Sequence, residues 1–403
     1  MKAPRALTIV TAVAALLSAC TPTPDANGDD SRGDETGDGD GDGDGDGDGD
    51  GDGDGDGDGD GDGEDCLEDE ECESPNAPYC IDFQCQGCDG GPAEYCSSNN
   101  EDTPACSEAG TCVQCTADAA QACEGTTPTC DEEQNICVAC SAHSDCEDSA
   151  CNYETGACFS SDAVYYVDNG NCPGGAGTSD DPYCTIGEAV MQIGAGEQGV
   201  VVVQGGGAPY GEAVVLNNKT VALLGVDTPL IEPDNTNALV SSNGSLSFLA
   251  GLVLQTGGNS GHGIDVIAAT TYADDCAVKS AKSGGIRADG SSVLVMRGGE
   301  VSGNEGIGVA GGDGEVVLDR VVVHDNDGGG LSGSDLTITN CAVGLNGSSN
   351  AAVFGLNLAG SGTADIRYST FVDNGMASEF TCALGATLEV RNSVLARDGG
   401  VVG

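Results

Sequence analysis

Apolar and polar residues alternate in short runs along residues 163–403, and glycine, asparagine and aspartate separate the runs. Such alternation predicts β-strands with one buried side, joined by turns. Near the start of this region, Thr185 and Glu188 are spaced as a capping box, which predicts a short helix from Ile186 to about Ile193. The pattern therefore predicts an all-β domain that is opened by one helix.

Four late segments superpose without gaps, namely residues 315–326, 335–346, 363–374 and 387–398, and they begin 20, 28 and 24 residues apart. Strands stacked at such a period, with alternate side chains pointing inward, form a solenoid with coils about 4.8 Å apart. We expect the asparagine column to lie at a turn, where its side chains bond to one another or to the backbone. The superposition gives two apolar columns and one column of Asn and Asp: Leu318, Ile338, Ile366 and Val390; Val323, Val343, Phe371 and Leu395; and Asn326, Asn346, Asn374 and Asp398.

This region resembles a right-handed parallel β-helix of the pectate-lyase type. Its opening, which contains Tyr-Val-Asp and Gly-Thr-Ser-Asp-Asp-Pro-Tyr before the helix, is similar to that of many bacterial β-helix surface proteins. The fold class expected for the whole chain is all-β: a parallel β-helix solenoid over residues 161–403, preceded by small disulfide-rich modules and a disordered acidic tether. This fold hosts lyases, hydrolases, adhesins and passive spacers, so it does not decide the function.

The first 20 residues have the features of an export signal. Lys2 and Arg5 precede an apolar run over residues 6–17, which is too short to span a hydrocarbon core of about 30 Å. The run ends in Leu-Ser-Ala-Cys, which resembles the lipobox of bacterial lipoproteins; the alternative is an ordinary signal peptide that ends near a cysteine. The resemblance implies that Cys20 is lipidated, that the partner is a membrane bound through the lipid anchor, and that the chain is displayed at the outer membrane or cell surface.

Residues 21–65 are predicted to form a disordered tether, whose centre is thirteen consecutive Gly-Asp dipeptides from Gly37 to Asp62. The 67 acidic residues against 12 basic ones make nucleic acid a poor partner, because its binding depends on Lys and Arg. Alternating carboxylates could bind calcium weakly, but the spacing fits no calcium-loop motif. No cofactor is expected, and the segment is interpreted as a spacer.

Residues 66–160 contain four modules of four cysteines each, which resemble the Cys-rich repeats of secreted bacterial surface proteins. Modules this small bury too little apolar surface to fold alone, so cross-links are expected to replace a core. The Cys-x-x-Cys junctions also fit zinc ribbons, but export and the even count per module favour disulfides. Four cysteines allow three pairings, and the sequence does not choose among them. The sets are Cys66, Cys72, Cys80 and Cys85; Cys88, Cys96, Cys106 and Cys112; Cys115, Cys123, Cys130 and Cys137; and Cys140, Cys146, Cys151 and Cys158.

Five further cysteines follow the modules. Cys172 and Cys184 bracket a glycine-rich loop and are expected to pair. Cys276, Cys341 and Cys382 remain, so with Cys20 lipidated at least one of the three is unpaired or bonds another chain.

The segment Gly261-His262-Gly263-Ile264-Asp265 is similar to the Gly-His-Gly signature of polygalacturonases, which share the fold. The other motifs of that family, which supply the paired carboxylates of a glycosidase, are missing. A coil-turn pattern of glycines explains the segment equally well. We therefore assign no catalytic residue and no metal site, and interpret the segment as structural.

A charged outer face and a polar turn each allow a structural and a functional interpretation. Asp365 with Glu389, and Arg367 with Arg391, are expected to form columns on one outer face, as a salt-bridged surface or as the calcium ligands and base of a lyase. His324 lies in a turn rich in Asn and Asp that could bind a cation, although turn chemistry explains these residues too.

The sequence thus favours a surface-anchored lipoprotein that displays a β-helix for binding or adhesion, with a polysaccharide or cell-surface ligand. The alternative is a polysaccharide lyase or glycoside hydrolase on the same scaffold. The absence of Trp and an aromatic content of 4% argue for the first, because aromatic rings often stack on sugars. No capping element is visible after the last coil, which predicts a partner or self-association at that end of the solenoid, or a truncated reading frame.

Overall fold

A computed structural model describes residues 66–69, 72, 78–91, 94–347, 354–375 and 378–396. Cys20, the tether and Asp398 lie outside the described residues, so the predictions that concern them are not addressed by the coordinates. The chain divides into two compact units between Val138 and Ala139. The first three Cys-rich modules belong to one unit, and the fourth belongs to the same unit as the solenoid.

Each Cys-rich module is built around a small two-stranded antiparallel hairpin and two disulfides. The first cysteine is bonded to the third and the second to the fourth in all four modules, which is one of the three pairings that the sequence allowed. The hairpins are Tyr79–Ile81 with Gln84–Gln86, Ala105–Cys106 with Cys112–Val113, Thr129–Asp131 with Ile136–Val138, and Cys151–Asn152 with Ala157–Cys158. Short helices accompany them at Cys88–Gly90, Tyr95–Asn99, Ala117–Ala122 and His143–Asp145.

From Ser161 onward the chain forms a parallel β-helix of about eight coils, so the predicted fold class is confirmed. Each complete coil contributes one strand to each of three parallel sheets. Sheet 1 contains Val164–Val167, Gln198–Gln204, Thr220–Val226, Leu246–Ala250, Thr270–Asp274, Val293–Arg297, Glu315–Asp319 and Thr387–Arg391. Sheet 2 contains Leu230–Ile231, Val253–Leu254, Ala277–Lys279, Glu300–Ser302, Val322–His324, Ala342–Gly344, Thr370–Val372 and Val394–Ala396. Sheet 3 contains Val214–Asn217, Leu239–Ser242, His262–Ile267, Gly284–Asp289, Ile307–Ala310 and Ser378–Cys382.

Two long strands, Gly329–Thr339 and Phe354–Arg367, each run first through sheet 3 and then through sheet 1. Both predicted apolar columns are in register: Leu318, Ile338, Ile366 and Val390 pair in succession, as do Val323, Val343, Phe371 and Leu395. All but the last member of each column are buried in one continuous core. Val390 is 38% exposed, because no described strand covers the far side of Thr387–Arg391.

The opposite end of the solenoid is covered by the helix Ile186–Gln192, whose predicted capping box is present. The Thr185 hydroxyl accepts a hydrogen bond from the Glu188 amide, and the Glu188 carboxylate accepts one from the Thr185 amide. Ile186, Ala189 and Val190 point into the core. Short 3-10 turns at Ser161–Ala163 and Asn169–Asn171 precede this helix.

The asparagine column forms a continuous buried ladder at the turn between sheets 2 and 3. Each side-chain amide donates to the side-chain oxygen of the next asparagine, at 2.7 Å from Asn304 to Asn326 and 2.8 Å from Asn326 to Asn346 and from Asn346 to Asn374. Asn304 was not among the residues that the sequence repeats aligned. The residue before each of these asparagines has a positive φ, as at Asp325 (53°) and Asp373 (53°), a backbone region that Asp tolerates better than most residues.

Candidate functional site on the outer face of sheet 1

The outer face of sheet 1 is apolar in its first coils, and the fourth Cys-rich module covers it there. Phe248 is completely buried between the sheet and the module. The alternation of sheet 1 points these side chains away from the solenoid interior, so they form a second core separate from the first. The fully buried members of this second core are Ala150 and Phe159 of the module and Val200, Ala222 and Phe248 of the sheet.

Aromatic rings and one arginine mark the edge of the covered area. The Tyr153 ring of the module meets Phe248 edge-on, with centroids 5.4 Å apart, and Tyr272 stacks on Phe248 at 5.3 Å. The Arg297 guanidinium carbon lies 5.0 Å from the Tyr153 ring centroid and 5.7 Å from that of Tyr272. Cation–π contacts of this kind hold a positive charge at the module edge.

Both tyrosine hydroxyls donate to carboxylates across the same junction. Tyr153 Oη lies 2.7 Å from Asp274 Oδ2, and Tyr272 Oη lies 2.6 Å from Glu154 Oε1. Burial raises the pKa of Tyr153 far above its ordinary value, and burial together with the Glu154 carboxylate raises the pKa of Tyr272 to about 12. The two phenols therefore stay protonated and act as donors.

The central outward column of sheet 1 changes from apolar to polar along the solenoid. It reads Ala222, Phe248, Tyr272, Val295, Val317, Thr337, Asp365 and Glu389, each paired with the next. We call the outward side chains of its last three coils the polar face. The polar face consists of Asp335, Thr337, Thr339, Thr363, Asp365, Arg367, Thr387, Glu389 and Arg391.

The charged residues in the last two coils of the polar face pair along each strand. Arg367 Nη2 lies 2.5 Å from Asp365 Oδ2, its Nε lies 3.0 Å from Asp365 Oδ1, and Arg391 forms an equivalent ion pair with Glu389 one coil further on. The columns expected from the sequence are present, because Asp365 pairs with Glu389 and Arg367 with Arg391 in the register. The side chains, however, form ion pairs within a coil, since opposite charges stand two residues apart on the same face of one strand.

The Gly-His-Gly segment lies on sheet 3, and its glycines follow a pattern that each coil repeats. Gly263 aligns with Gly285, Gly308, Gly330 and Gly355 through the register of sheet 3. A Cβ on Gly308 would lie 2.7 Å from Asn326 Nδ2 and 2.8 Å from the Gly330 carbonyl. A side chain at Gly308 would thus collide with the asparagine ladder, and this accounts for the glycine column without catalysis.

His262 and Asp265 nevertheless belong to a polar cluster on the outer side of sheet 3. Asp265, whose side chain is 2% exposed, accepts from Arg287 Nε (2.7 Å) and Nη2 (2.6 Å) and from Asn237 Nδ2 (2.8 Å). Burial and the Arg287 charge lower the pKa of His262 despite the opposing effect of Asp265. The carboxylate is fully bonded, so this cluster is a structural clamp between three coils.

His324 bridges two carboxylates at the turn where the sequence indicated cation chemistry. Its Nε2 lies 2.9 Å from Glu300 Oε1 and its Nδ1 lies 2.7 Å from Asp325 Oδ2. Burial alone would lower the pKa of His324, but the hydrogen bonds to Asp325 and Glu300 outweigh it and raise the pKa. The carboxylates of Glu300 and Asp325 at this turn are therefore both bonded to His324.

The cysteines after the modules fall into two groups. Cys172 and Cys184 form a disulfide, as expected from the sequence. Cys276 and Cys341 are the free cysteines among the described residues, and both are buried. The sulfur atoms of the modules crowd together in threes, but they are bonded in disulfides and so are not the thiolates that zinc binds.

None of the helices in the described part of the chain is long and apolar enough to cross a membrane. A family model for a right-handed β-helix region matches residues 255–400, and a family of unknown function, DUF8331, matches residues 50–164. No curated protein matches the chain.

Solved structures with a similar fold include pectate lyase Pel9A, at 13% identity and a TM-score of 0.42 over 57% of this chain and 78% of that one. They also include the pectin methylesterase from Aspergillus niger in deglycosylated form, at 14% identity and a TM-score of 0.42 over 61% of this chain and 89% of the enzyme. The same methylesterase in a penultimately deglycosylated form gives 13% identity and a TM-score of 0.31. Together with the register of the three sheets, the family match identifies the last part of the chain as a right-handed parallel β-helix.

Proposed function

We propose that this chain is a surface-anchored lipoprotein that binds a polysaccharide or a glycosylated cell-surface ligand through the polar face. The lipid on Cys20 attaches it to the outer membrane or cell surface, and the Gly-Asp tether holds the folded units away from that surface. Both parts of this proposal rest on the sequence.

One observation carries the binding role: the last two coils of the polar face repeat the same group. Asp365 with Arg367, and Glu389 with Arg391, are stacked one coil apart, and Thr363 and Thr387 flank them in the same register. Coils of a parallel solenoid repeat about every 4.8 Å along its axis. A regular array of donors and acceptors fits a ligand that itself repeats, as a polysaccharide does.

The state of the arginines favours binding over turnover. A lyase needs a base that is free to take a proton, whereas each arginine between Arg287 and Arg391 contacts a carboxylate or two aromatic rings. A fixed guanidinium keeps its charge and its remaining N–H donors, which suits hydroxyl and carboxylate recognition.

Binding is tested by screening the full chain against a panel of polysaccharides and measuring affinity for the best of them. Arg367→Gln with Arg391→Gln should weaken binding about tenfold or more, because a hydrogen bond to a charged group contributes roughly 1.5–3 kcal/mol. Lys282→Gln is the matched control, since Lys282 forms an exposed ion pair with Glu305 away from sheet 1. Equal affinities for the two variants would reject the polar face.

The enzymatic alternative, a polysaccharide lyase or glycosidase, uses the same ligand class. The enzymatic and binding proposals are distinguished by incubating the full chain with the polysaccharide that it binds, with and without calcium. The length of the polysaccharide and the number of new unsaturated ends are then measured. If the polysaccharide is depolymerised and the arginine variants abolish that activity, the enzymatic proposal replaces the binding proposal.

The lipid anchor is tested independently. Cys20→Ala should release the chain from membranes and abolish acyl labelling, and retention of the label would reject lipidation at Cys20.

A further inference from the structure

His143 lies where the fourth module meets the outer face of sheet 1. Its Nδ1 accepts a hydrogen bond from the Cys151 backbone amide at 3.1 Å. The imidazole ring lies 5.1 Å from the Tyr153 ring and 6.5 Å from the Phe248 ring. The histidine thus links the hairpin of the module to the apolar face that the module covers.

The hydrogen bond from Cys151 fixes the protonation state of this histidine. Nδ1 is an acceptor and carries no proton, so the single proton of the neutral ring is on Nε2. Nε2 is buried without a hydrogen-bond partner among the described residues, and so is Asp274 Oδ1. Adding a second proton at Nδ1 would turn the acceptor into a donor that faces the Cys151 N–H, and the bond that holds the hairpin would be lost.

Charged groups lie on both sides of the junction that contains His143. On the module side these are Asp145 and Glu154, with the Tyr153 phenol, and on the sheet they are Asp274 and Arg297, with the Tyr272 phenol. Burial lowers the pKa of His143, and the attraction of Asp274 for the imidazolium opposes this without reversing it. Arg297, seated over the Tyr153 ring, adds a positive charge to the same junction.

We propose that acidification undocks the fourth module from sheet 1 because docking requires a neutral His143. In the undocked state the imidazole is no longer buried against sheet 1, so its pKa is higher than in the docked state. The equilibrium constant of docking therefore falls as the pH drops through the range between these two pKa values.

Undocking would expose the apolar half of sheet 1, centred on Phe248, directly beside the polar face. The module then acts as an acid-released cover over an apolar surface that is continuous with the proposed binding face. This inference concerns the junction within the unit that begins at Ala139, and it stands whether or not a ligand binds the polar face.

The test is hydrogen exchange of the full chain between pH 7.5 and 5, with rates corrected for the intrinsic effect of pH and read by mass spectrometry. Peptides from residues 139–158 and 244–275 should lose protection on acidification, while peptides from residues 315–345 should not. His143→Asn retains an acceptor near the position of Nδ1 but cannot be protonated, and should abolish the pH dependence. His324→Asn, which removes a half-buried histidine on sheet 2, should leave it unchanged.

Constant protection of residues 139–158 in the unsubstituted chain would overturn the proposal, as would an unchanged pH dependence in the His143→Asn variant. Loss of the pH dependence in the His324→Asn variant would show that His324 causes it, and this would overturn the proposal as well. If His143→Asn fails to dock even at pH 7.5, the response of the unsubstituted chain and of the His324→Asn variant decides between these outcomes.

Discussion

Asn374 donates its side-chain amide to Glu379 Oε2 at 2.8 Å, and its backbone amide donates to Glu379 Oε1 at 3.2 Å. Glu379, which is 5% exposed, therefore occupies the place that a further asparagine would take in the ladder. The Glu379 carboxylate accepts the two hydrogen bonds on separate oxygens, whereas the single Asn346 oxygen accepts both of the equivalent bonds from Asn326. The ladder is thus continuous from Asn304 to Glu379 and links the coils at one turn.

Breaking this ladder in its middle should destabilise the solenoid. Asn346→Ala would leave the Asn326 backbone amide buried without its acceptor and would remove one side-chain hydrogen bond from each of Asn326 and Asn374. An unsatisfied buried group costs about 1–3 kcal/mol. Asn357→Ala is the control, because Asn357 is only half-buried and makes one longer bond, 3.3 Å to Ser332 Oγ. Denaturant unfolding should show a loss of at least about 2 kcal/mol for the first variant and little change for the second. Similar midpoints would mean that the ladder contributes no stability.

The clamp around Asp265 should behave differently from exposed ion pairs. Arg287→Met would leave a buried carboxylate without its cation, which costs about 3–5 kcal/mol. Lys282→Met breaks the exposed pair with Glu305 and should cost no more than about 1 kcal/mol. Adding Asp265→Asn to the Arg287 variant should restore much of the loss, because the uncompensated charge is then removed. Failure of this rescue in thermal unfolding would show that Arg287 acts through packing.

The two free thiols should be inert in the folded chain. Burial raises the pKa of Cys276 to about 12 and that of Cys341 to about 11, and the thiolate is the form that reacts. Treatment of the folded chain with iodoacetamide at pH 8 should therefore label neither residue, and unfolding in denaturant should release both. Labelling of either thiol before unfolding, located by peptide mass spectrometry, would contradict its burial.

The sequence predicted the features of the fold that repeat along the chain. The columns through Ile338 and Val343 follow from alternation and period alone, and the capping box at Thr185 is local. The sequence did not indicate Asn304, because the coil that contains it aligns weakly with the later coils. It did not indicate Glu379 either, because this residue lies on a strand of sheet 3 and not at the turn that holds the asparagines. The contact between Asp265 and Arg287 depends on the register of two neighbouring strands. No local sequence pattern gives that register, so the clamp could not be predicted.

The outer face of sheet 1 was the harder part to predict. Its apolar residues, such as Val200 and Phe248, stand beside inward-facing apolar residues in the sequence, and this produces continuous runs in place of alternation. Continuous apolar runs indicate that both faces of the sheet are buried, but they do not indicate what covers the outer face. The cover is a module that the cysteine spacing had grouped with the three before it, and its contacts with Phe248 and Tyr272 span more than 90 residues of sequence.

This cover predicts that the fourth module stabilises the β-helix. Cys146→Ala with Cys158→Ala opens a disulfide of sequence separation 12 in the fourth module, and Cys96→Ala with Cys112→Ala opens one of separation 16 in the second. Loops of similar length give similar entropic losses, about 3 kcal/mol each. Loss of the first bond should in addition loosen the cover over Phe248, so calorimetry should show the β-helix transition shifted down by several degrees. Loss of the second bond should leave that transition in place and affect only the unit that ends at Val138. Equal shifts of the β-helix transition would show that the module covers the sheet without stabilising it.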